Sequence, residues 1–156
     1  PAMGLVLLFA GWLWPAPAAT ARVWHVDDDD ADQPAADFAT IQAGIDAAAE
    51  GDTLVVHPGR YFEVLRLADK NLHIRGADPT SPAIVEATQI DAQLVDSVVV
   101  FSGRVGPATI LEGLTLLNGS AQDGGGLRSA GDRPTSRCRW TTSRGFSTWW
   151  LASSEM

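Results

Sequence analysis

The sequence lacks a second cysteine, because Cys138 is the only one among its 156 residues. No disulfide can form within the chain, so its stability must come from apolar packing and backbone hydrogen bonds. A hydrophobic content of 46% over this length suits one domain with its own core. We therefore expect a single domain without internal covalent cross-links.

Basic side chains are scarce in most of the chain. Residues 1–127 carry 17 acidic and 6 basic side chains, whereas residues 128–156 carry 2 acidic and 5 basic ones. An acidic surface repels the phosphate backbone of nucleic acids. We therefore expect no nucleic-acid partner for the body of the protein.

The sequence also lacks a long uninterrupted hydrophobic segment. Gly4–Leu13 is apolar over ten residues, which as a helix extends about 15 Å, half of a bilayer core. Prolines follow it and then the small residues Ala19, Thr20 and Ala21, a layout typical of a signal peptide although no basic residue precedes it. We interpret residues 1–21 as a signal peptide, which predicts export and no stable membrane span afterwards. The alternative is a buried core helix.

One amphipathic helix is predicted near the start of the mature chain. Thr40 can act as its N-cap, and Ile41, Ile45 and Ala48 recur at helical spacing to form a narrow apolar stripe, which Gly51 ends. Gly44 in the interior weakens the helix by about 1 kcal/mol. We therefore expect the helix to form only against a core.

Short β-strands account for the rest of the pattern. The predicted strands are separated by Gly, Pro, Asn and Asp: they are 22–26, 53–57, 64–67, 72–74, 84–85, 98–101 and 109–117, the last interrupted at Gly113. Similar apolar triplets begin at Leu54, Leu72 and Leu114, which suggests a stacked repeat. Periodicity alone leaves a small β-sandwich as the alternative.

Three sequence words occur in an order that resembles a known family. They are FATIQAGIDAAAEGDTLVVHPGRY at 38–61, ILEGLTLLNGS at 110–120 and the glycines at 124–126 before Leu127. Together they resemble the N-terminal part of exported right-handed parallel β-helix proteins of the pectin-lyase-like type. The resemblance covers about residues 22–127. It implies an all-β solenoid whose first turn is covered by the amphipathic helix, with Asn118 in a turn between strands, where family members stack asparagines that hydrogen-bond the turn backbone.

The tail at 128–156 departs from that family. It is a basic segment rich in Ser, Arg and Trp, in place of short Val, Ile and Leu strands. We interpret it as a truncated or frameshifted continuation of a longer solenoid. The alternative is a genuine terminal segment in which Trp140, Trp149 and Trp150 pack as a cap.

Four consecutive carboxylates, Asp27, Asp28, Asp29 and Asp30, are the candidate metal ligands. Ca²⁺ prefers six to eight oxygen ligands, and carboxylates supply them. On an extended chain alternate side chains point to opposite sides, so at most two of the four could share one ion. The alternative interpretation is a solvated acidic segment, and no other cofactor is indicated.

No catalytic motif is visible. The three histidines, His25, His57 and His73, lack ligand spacing and are expected to be surface or turn residues. The glycines at 124–126 lack the lysine and helix of a phosphate loop, and no G-x-S-x-G sequence occurs. The catalytic residues, if there are any, stay unassigned.

The resemblance supplies the functional hypotheses. Enzymes of this fold act on polysaccharides with carboxylates, Ca²⁺ and a basic residue on one strand face, and Asp91, Asp96 and Arg104 are the charged loop residues that could line such a face. We expect a secreted or cell-envelope protein that binds or processes extracellular polysaccharide, as a lyase or glycoside hydrolase if it is an enzyme. The alternatives are a non-catalytic adhesive scaffold, or a gene fragment without its own function that would aggregate.

Overall fold

A computed structural model describes residues 20–106, 108–120 and 126–130. Most of the predicted signal peptide and nearly all of the basic tail lie outside these residues. The elements in chain order are β1 (Val23–Val26), α1 (Ile41–Ala47), β2 (Thr53–Val56), β3 (Gly59–Tyr61), β4 (Leu65–Ala68), β5 (His73–Gly76), α2 (Pro82–Ala87), β6 (Thr88–Asp91), β7 (Val99–Ser102), β8 (Ile110–Glu112), β9 (Thr115–Leu117) and β10 (Leu127–Ala130).

The strands form three sheets. The first sheet has the order β1-β2-β5-β8, the second β3-β6-β9 and the third β4-β7-β10. From β2 to β10 the chain visits the first, second and third sheet in turn and then repeats that cycle twice. Each strand therefore pairs with the strand that occupies the same place one cycle earlier or later.

Every strand pair among the described residues is parallel. The expected all-β class with parallel strands is thereby confirmed. The β-sandwich alternative is wrong for this part of the chain, because such sandwiches are built from antiparallel sheets. Parallel strands need crossover connections, and from β2 onward each crossover passes through the other two sheets, whereas the connection from β1 to β2 contains α1.

The core lies between the three sheets. In β2, β4 and β5 alternate side chains are buried, as the period of a half-buried strand requires, whereas β7 buries three successive residues. Strand pairing stacks these side chains in rows, so that one row in the first sheet contains Leu54, Ile74 and Leu111. Corresponding rows in the second and third sheets contain Tyr61, Ile90 and Leu116, and Leu65, Val99 and Leu127.

Helix α1 covers one end of this core, as predicted. Thr40 is its N-cap, and the stripe of Ile41, Ile45 and Ala48 is buried. Gly44 is buried in the same contact: a Cβ atom there would lie 2.8 Å from Leu54 Cδ2. The absence of a side chain therefore lets the helix approach β2, which accounts for a glycine at an unfavourable helical position.

Two side chains attach α1 to the sheets. Both carboxylate oxygens of Glu63 accept hydrogen bonds from the first backbone amides of the helix, those of Ile41 and Gln42. The amide side chain of Gln42 in turn bonds both backbone groups of Arg66, accepting from its N–H at 2.8 Å and donating to its carbonyl at 3.2 Å. Gln42 thus pairs with the outer edge of β4, which would otherwise be open.

Three local predictions differ from the structure. Ile84 and Val85 were expected in a strand but lie in α2, which begins at Pro82, a residue suited to the first helical turn. Strands β3 and β6 were not predicted, because Gly59 follows a proline and Thr88–Asp91 lacks a continuous apolar pattern. In both cases strand pairing compensates for weak local preference.

The far end of the core carries β8, β9 and β10. Within the described residues, the interior leucines at this end line a small apolar recess together with Glu112; they are Leu111, Leu114, Leu116 and Leu127. None of the helices in the described segments has the length and hydropathy that crossing a bilayer requires.

Candidate functional site

Polar and exposed apolar side chains gather where the second sheet passes into the third. We call this place the Asp91 corner and define it by residues 62–64, 92–98 and 118–120, together with the strand residues beside them. Residues 121–125 lie outside the described part of the chain. The Ser120 N–H donates to the Asp96 carbonyl at 2.9 Å, which joins the last two of these segments.

Asp91 is the centre of the corner. It ends β6, is almost fully buried, and accepts a hydrogen bond from Arg60 Nη2 at 2.7 Å. Asn118 Nδ2 donates to both of its oxygens at 2.9 and 3.0 Å, and the Gln93 backbone N–H donates at 2.8 Å. Residues from three successive cycles therefore converge on one carboxylate.

These donors fix the ionisation of Asp91. The Arg60 hydrogen bond, followed by those from Gln93 and Asn118, holds the pKa of this carboxyl below its usual range, against the opposing effect of burial. Asp91 is therefore ionised near neutral pH. A general acid must hold its proton under those conditions, so Asp91 is unsuited to that role.

Asp96 is a second carboxylate at the corner. Its Oδ2 lies 3.2 Å from Arg128 Nη2 and 3.5 Å from Arg66 Nη2, and its Oδ1 accepts from the Ser97 backbone N–H. Arg66 and Arg128 are two cycles apart and both face Val100 across the third sheet. Two guanidinium groups thus share one carboxylate on the outer face of this sheet.

Exposed apolar side chains lie beside these charges. Phe62 is 57% exposed, and the Arg60 guanidinium carbon lies 5.0 Å from the centre of its ring. Leu94 and Val95, in the neighbouring segment, are 67% and 76% exposed. Large exposed apolar side chains grouped at one place are typical of binding surfaces.

The backbone of the corner is also unusual. Gln93, Leu94 and Asn118 all have positive φ, at 53°, 62° and 50°. This left-handed conformation costs a residue with a side chain about 1 kcal/mol or more, and such residues concentrate at functional sites. The Leu94 N–H donates to the Asn118 carbonyl at 2.7 Å, which ties the two segments together.

Asn118 directly follows β9, and its side chain bonds the carboxylate of Asp91. At another corner the side chain of Asn71 bonds a backbone group. Asn71 Oδ1 accepts from the Gly106 N–H at 2.7 Å, while Nδ2 donates to Glu50 in the preceding cycle at 2.7 Å.

Of the expected charged residues, Arg104 lies away from the Asp91 corner. It follows β7 at the corner with Asn71, where its backbone N–H donates to Asp69 Oδ1 at 2.9 Å. Asp91, Asp96 and Arg104 therefore do not line one face. Two of the three glycines at 124–126, Gly124 and Gly125, lie outside the described residues.

The acidic run directly after β1 is more compact than expected. Asp27, Asp28 and Asp29 each offer a carboxylate oxygen within 4.8 Å of the others, a group that could hold a metal ion. The expectation that at most two could approach one ion is wrong, because the chain bends after β1. Asp30, with φ of 58°, is not part of the group.

Most of the oxygens in this group already accept hydrogen bonds. Asp27 is 1% exposed and receives the backbone N–H groups of Asp29, Asp32 and Gln33 at 3.4, 3.0 and 2.6 Å. Asp28 Oδ2 accepts from the Arg60 N–H at 3.3 Å. The group therefore organises its own loop, and any ion would take further oxygens from backbone or water.

All three histidines lie at or next to the first sheet. His25 in β1 and His57 just after β2 form a direct contact, with Nδ1 and Nε2 3.0 Å apart, although they are far apart in sequence. Burial and the nearby His25 lower the pKa of His57. His73 Nε2 bonds Glu112 Oε1 at 2.9 Å. The expectation of isolated histidines is wrong for the first two.

Sequence reasoning missed Arg60, Phe62, Arg66 and Arg128 as members of the site. The usable signal was Arg60-Tyr61-Phe62, because a tyrosine that points inward at the end of β3 places Arg60 and Phe62 outward. The contact between Arg60 and Asp91 depends on the pairing of β3 with β6, which no local motif reveals.

Comparisons with protein-family models, curated proteins and solved structures found no match for this chain. The chemistry of the Asp91 corner is therefore the basis for a functional proposal.

Proposed function

We propose that the protein is exported, that its three sheets belong to a right-handed parallel β-helix, and that it binds an extracellular polysaccharide at the Asp91 corner. The cyclic passage of the chain through three parallel sheets supports the parallel β-helix. Crossovers between parallel strands are right-handed in nearly all proteins, which supports the right-handed sense of the helix.

The chemistry of the corner suits a sugar ring. A pyranose has an apolar face of C–H groups and a rim of hydroxyls, so its binding site combines an exposed aromatic ring with polar groups held in place. Phe62 offers the ring, and Arg60, fixed by Asp91, offers guanidinium N–H donors beside it. A preordered guanidinium loses less side-chain entropy on binding than a free one.

A second polar group extends the surface. Arg66 and Arg128, joined through Asp96, lie on the outer face of the neighbouring third sheet. Arg66 Nη2 and Arg128 Nη2 lie 3.5 and 3.2 Å from the same oxygen, Asp96 Oδ2, so the two guanidinium groups form one cationic patch. We expect an oligosaccharide to contact both this patch and the Phe62 ring, whereas a monosaccharide contacts only one of them.

The geometry favours binding over hydrolysis at this corner. Hydrolysis of a glycosidic bond uses one protonated carboxyl and one carboxylate. Asp91 is kept ionised by three donor groups, and Asp96 lies between two guanidinium groups. The observation that carries the proposal is the exposed Phe62 ring beside the Arg60–Asp91–Asn118 network.

Ca²⁺ is the cation that we propose for Asp27, Asp28 and Asp29, since all their ligand atoms are hard oxygens. Buried Asp27 accepts three backbone hydrogen bonds, whereas exposed Asp28 and Asp29 accept one each, so we expect Asp28 and Asp29 to be the groups that turn toward the ion. We expect the ion to stabilise the loop after β1 and to take no part in sugar binding at the Asp91 corner.

The test is a glycan-array screen of the full chain, followed by titration calorimetry with the best oligosaccharide. We expect the affinity to increase with oligosaccharide length. Phe62→Ala and Arg60→Gln should each lower the affinity about tenfold, equivalent to about 1.4 kcal/mol. Arg104→Gln is the matched control, because Arg104 lies at a different corner.

The alternatives give different results in the same experiment. A protein that binds none of the glycans contradicts the proposal and favours the adhesive scaffold. Release of shortened or unsaturated sugars by the wild-type chain indicates a lyase or hydrolase, whose catalytic groups would then have to lie away from Asp91. Aggregation of the purified chain before any binding favours the fragment hypothesis.

A further inference from the structure

The histidine pair on the first sheet is separate from the Asp91 corner and goes beyond the proposed function. β1 and β2 pair in parallel with Val26 beside Val56, which brings His25 and His57 to the same end of the two strands. Their Nδ1 and Nε2 atoms are 3.0 Å apart, and the ring centres are 5.3 Å apart with planes inclined at 33°. Both residues are half-buried.

We propose that His25 and His57 together chelate one divalent transition-metal ion, of which Cu²⁺ and Ni²⁺ fit best. Imidazole nitrogens bind such ions at about 2.0–2.1 Å, and at that length a 3.0 Å separation gives an N–metal–N angle of roughly 94°. This matches neighbouring ligands in a square-planar or octahedral site and is smaller than the tetrahedral angle that Zn²⁺ prefers.

The surroundings of the pair favour a cation. The charges of Asp27 and Asp32 act on the His57 ring and favour a positive charge there, against the opposing effect of the neighbouring His25. Neutral imidazole is the form that binds metal, and an ordinary histidine is mostly neutral at pH 7. Binding replaces the direct contact between the rings with two metal bonds.

The backbone holds the two histidines in register. The His57 N–H donates to the Val26 carbonyl at 2.9 Å, and the His25 N–H donates to Asp37 Oδ2 at 2.9 Å. His25 therefore lies on β1 and His57 directly after β2, and the pairing of these two strands positions both ligands. The remaining coordination positions are left to water or to an external ligand.

The test uses Cu²⁺ and the full chain. Electron paramagnetic resonance of the wild-type protein with one equivalent of Cu²⁺ is expected to show coupling to two imidazole nitrogens. In calorimetry, His25→Gln and His57→Gln should each weaken Cu²⁺ binding by about tenfold or more. His73→Gln is the matched control, since His73 bonds Glu112 and not another histidine, and it should bind Cu²⁺ as the wild type does.

Three results would overturn the proposal: a wild-type spectrum without two imidazole nitrogens, unchanged affinity in both single variants, or an equal loss of affinity in His73→Gln. Circular dichroism confirms that each variant is folded before titration. If a variant does not fold, the wild-type spectrum alone tests the proposal, because it requires no substitution.

Discussion

The guanidinium of Arg60 lies 2.7 Å from the carboxylate of Asp91, which comes 31 positions later in the chain and occupies the next strand of the second sheet. Arg60 is half exposed and Asp91 is almost fully buried. The pair thus connects two cycles of the fold to a surface where a ligand can approach.

Asp91→Asn tests the structural role of this pair. The substitution removes the charge that Arg60 contacts and replaces one acceptor of Asn118 with a donor, so we expect a lower melting temperature. Thermal unfolding followed by circular dichroism measures the change. Asp46→Asn, an exposed substitution on α1, is the control. If Asp91→Asn lowers the melting temperature no more than Asp46→Asn does, the Arg60–Asp91 pair has no structural role.

The acid sensitivity of the fold follows from four carboxyls. Hydrogen bonds lower the pKa of Glu50, Asp52, Asp78 and Asp91 from reference values of 4.5 for the glutamate and 3.8 for the three aspartates. Because the folded state prefers their ionised forms, their stabilising contribution is complete above these values and is lost as the pH falls through and below them. We expect the melting temperature to fall between pH 5 and about pH 3. Asp52→Asn should make the melting temperature less dependent on pH in this range. A pH dependence equal to that of the wild type would contradict a stabilising role of the ionised Asp52.

Gly76 and Gly51 separate a packing effect from a backbone effect. A Cβ at Gly76 would collide with the backbone carbonyl of Gly113, whereas one at Gly51 meets nothing within 4 Å. We expect Gly76→Ala to lower the free energy of unfolding by about 2–3 kcal/mol. Gly51→Ala, with φ of 84°, should cost about 1 kcal/mol through strain alone. Urea denaturation measures the free energy of unfolding of both variants. Equal losses would contradict the close contact between Gly76 and Gly113.

Gln42 tests the covering of the β4 edge. Gln42→Ala removes both hydrogen bonds to the Arg66 backbone, and we expect a loss of about 1 kcal/mol in the free energy of unfolding. Gln42→Glu keeps an acceptor for the Arg66 N–H and should retain part of the stability. Hydrogen exchange of the Arg66 amide reports the same contact directly; slow exchange in Gln42→Ala would show that the amide is protected by something else.

The Ca²⁺ proposal is tested by melting curves with and without the ion. We expect Ca²⁺ to raise the melting temperature more than Mg²⁺, because Ca²⁺ tolerates irregular oxygen sites. The double substitution Asp28→Asn with Asp29→Asn should abolish this increase while leaving the buried Asp27 in place. A Ca²⁺ effect that survives the double substitution would place the ion elsewhere.

The sequence allowed the capping helix to be predicted because its signal is local. A threonine cap and the spacing of Ile41, Ile45 and Ala48 are contained within ten residues, and the structure buries that stripe. The strands containing Leu54 and Leu116 were also located correctly, since apolar residues dominate them. Local patterns failed for Ile84 and Val85, where Pro82 begins a helix.

The site could be predicted only in part. The sequence identified Asp91, Asp96 and Asn118 as charged or turn residues. It did not identify their partners Arg60 and Arg128, because these contacts depend on which strands pair and in which register. The same applies to His25 and His57, which are 32 positions apart and meet through the pairing of β1 with β2. A one-residue change of register would turn every such side chain to the other face.

The most direct test of the account is the affinity of the full chain for an oligosaccharide identified by the glycan screen, compared among the wild type, Phe62→Ala, Arg60→Gln and Arg104→Gln. The account predicts that the first two variants each bind about tenfold more weakly and that Arg104→Gln binds as the wild type does. Equal affinity in all four proteins, or a loss confined to Arg104→Gln, would contradict polysaccharide binding at the Asp91 corner.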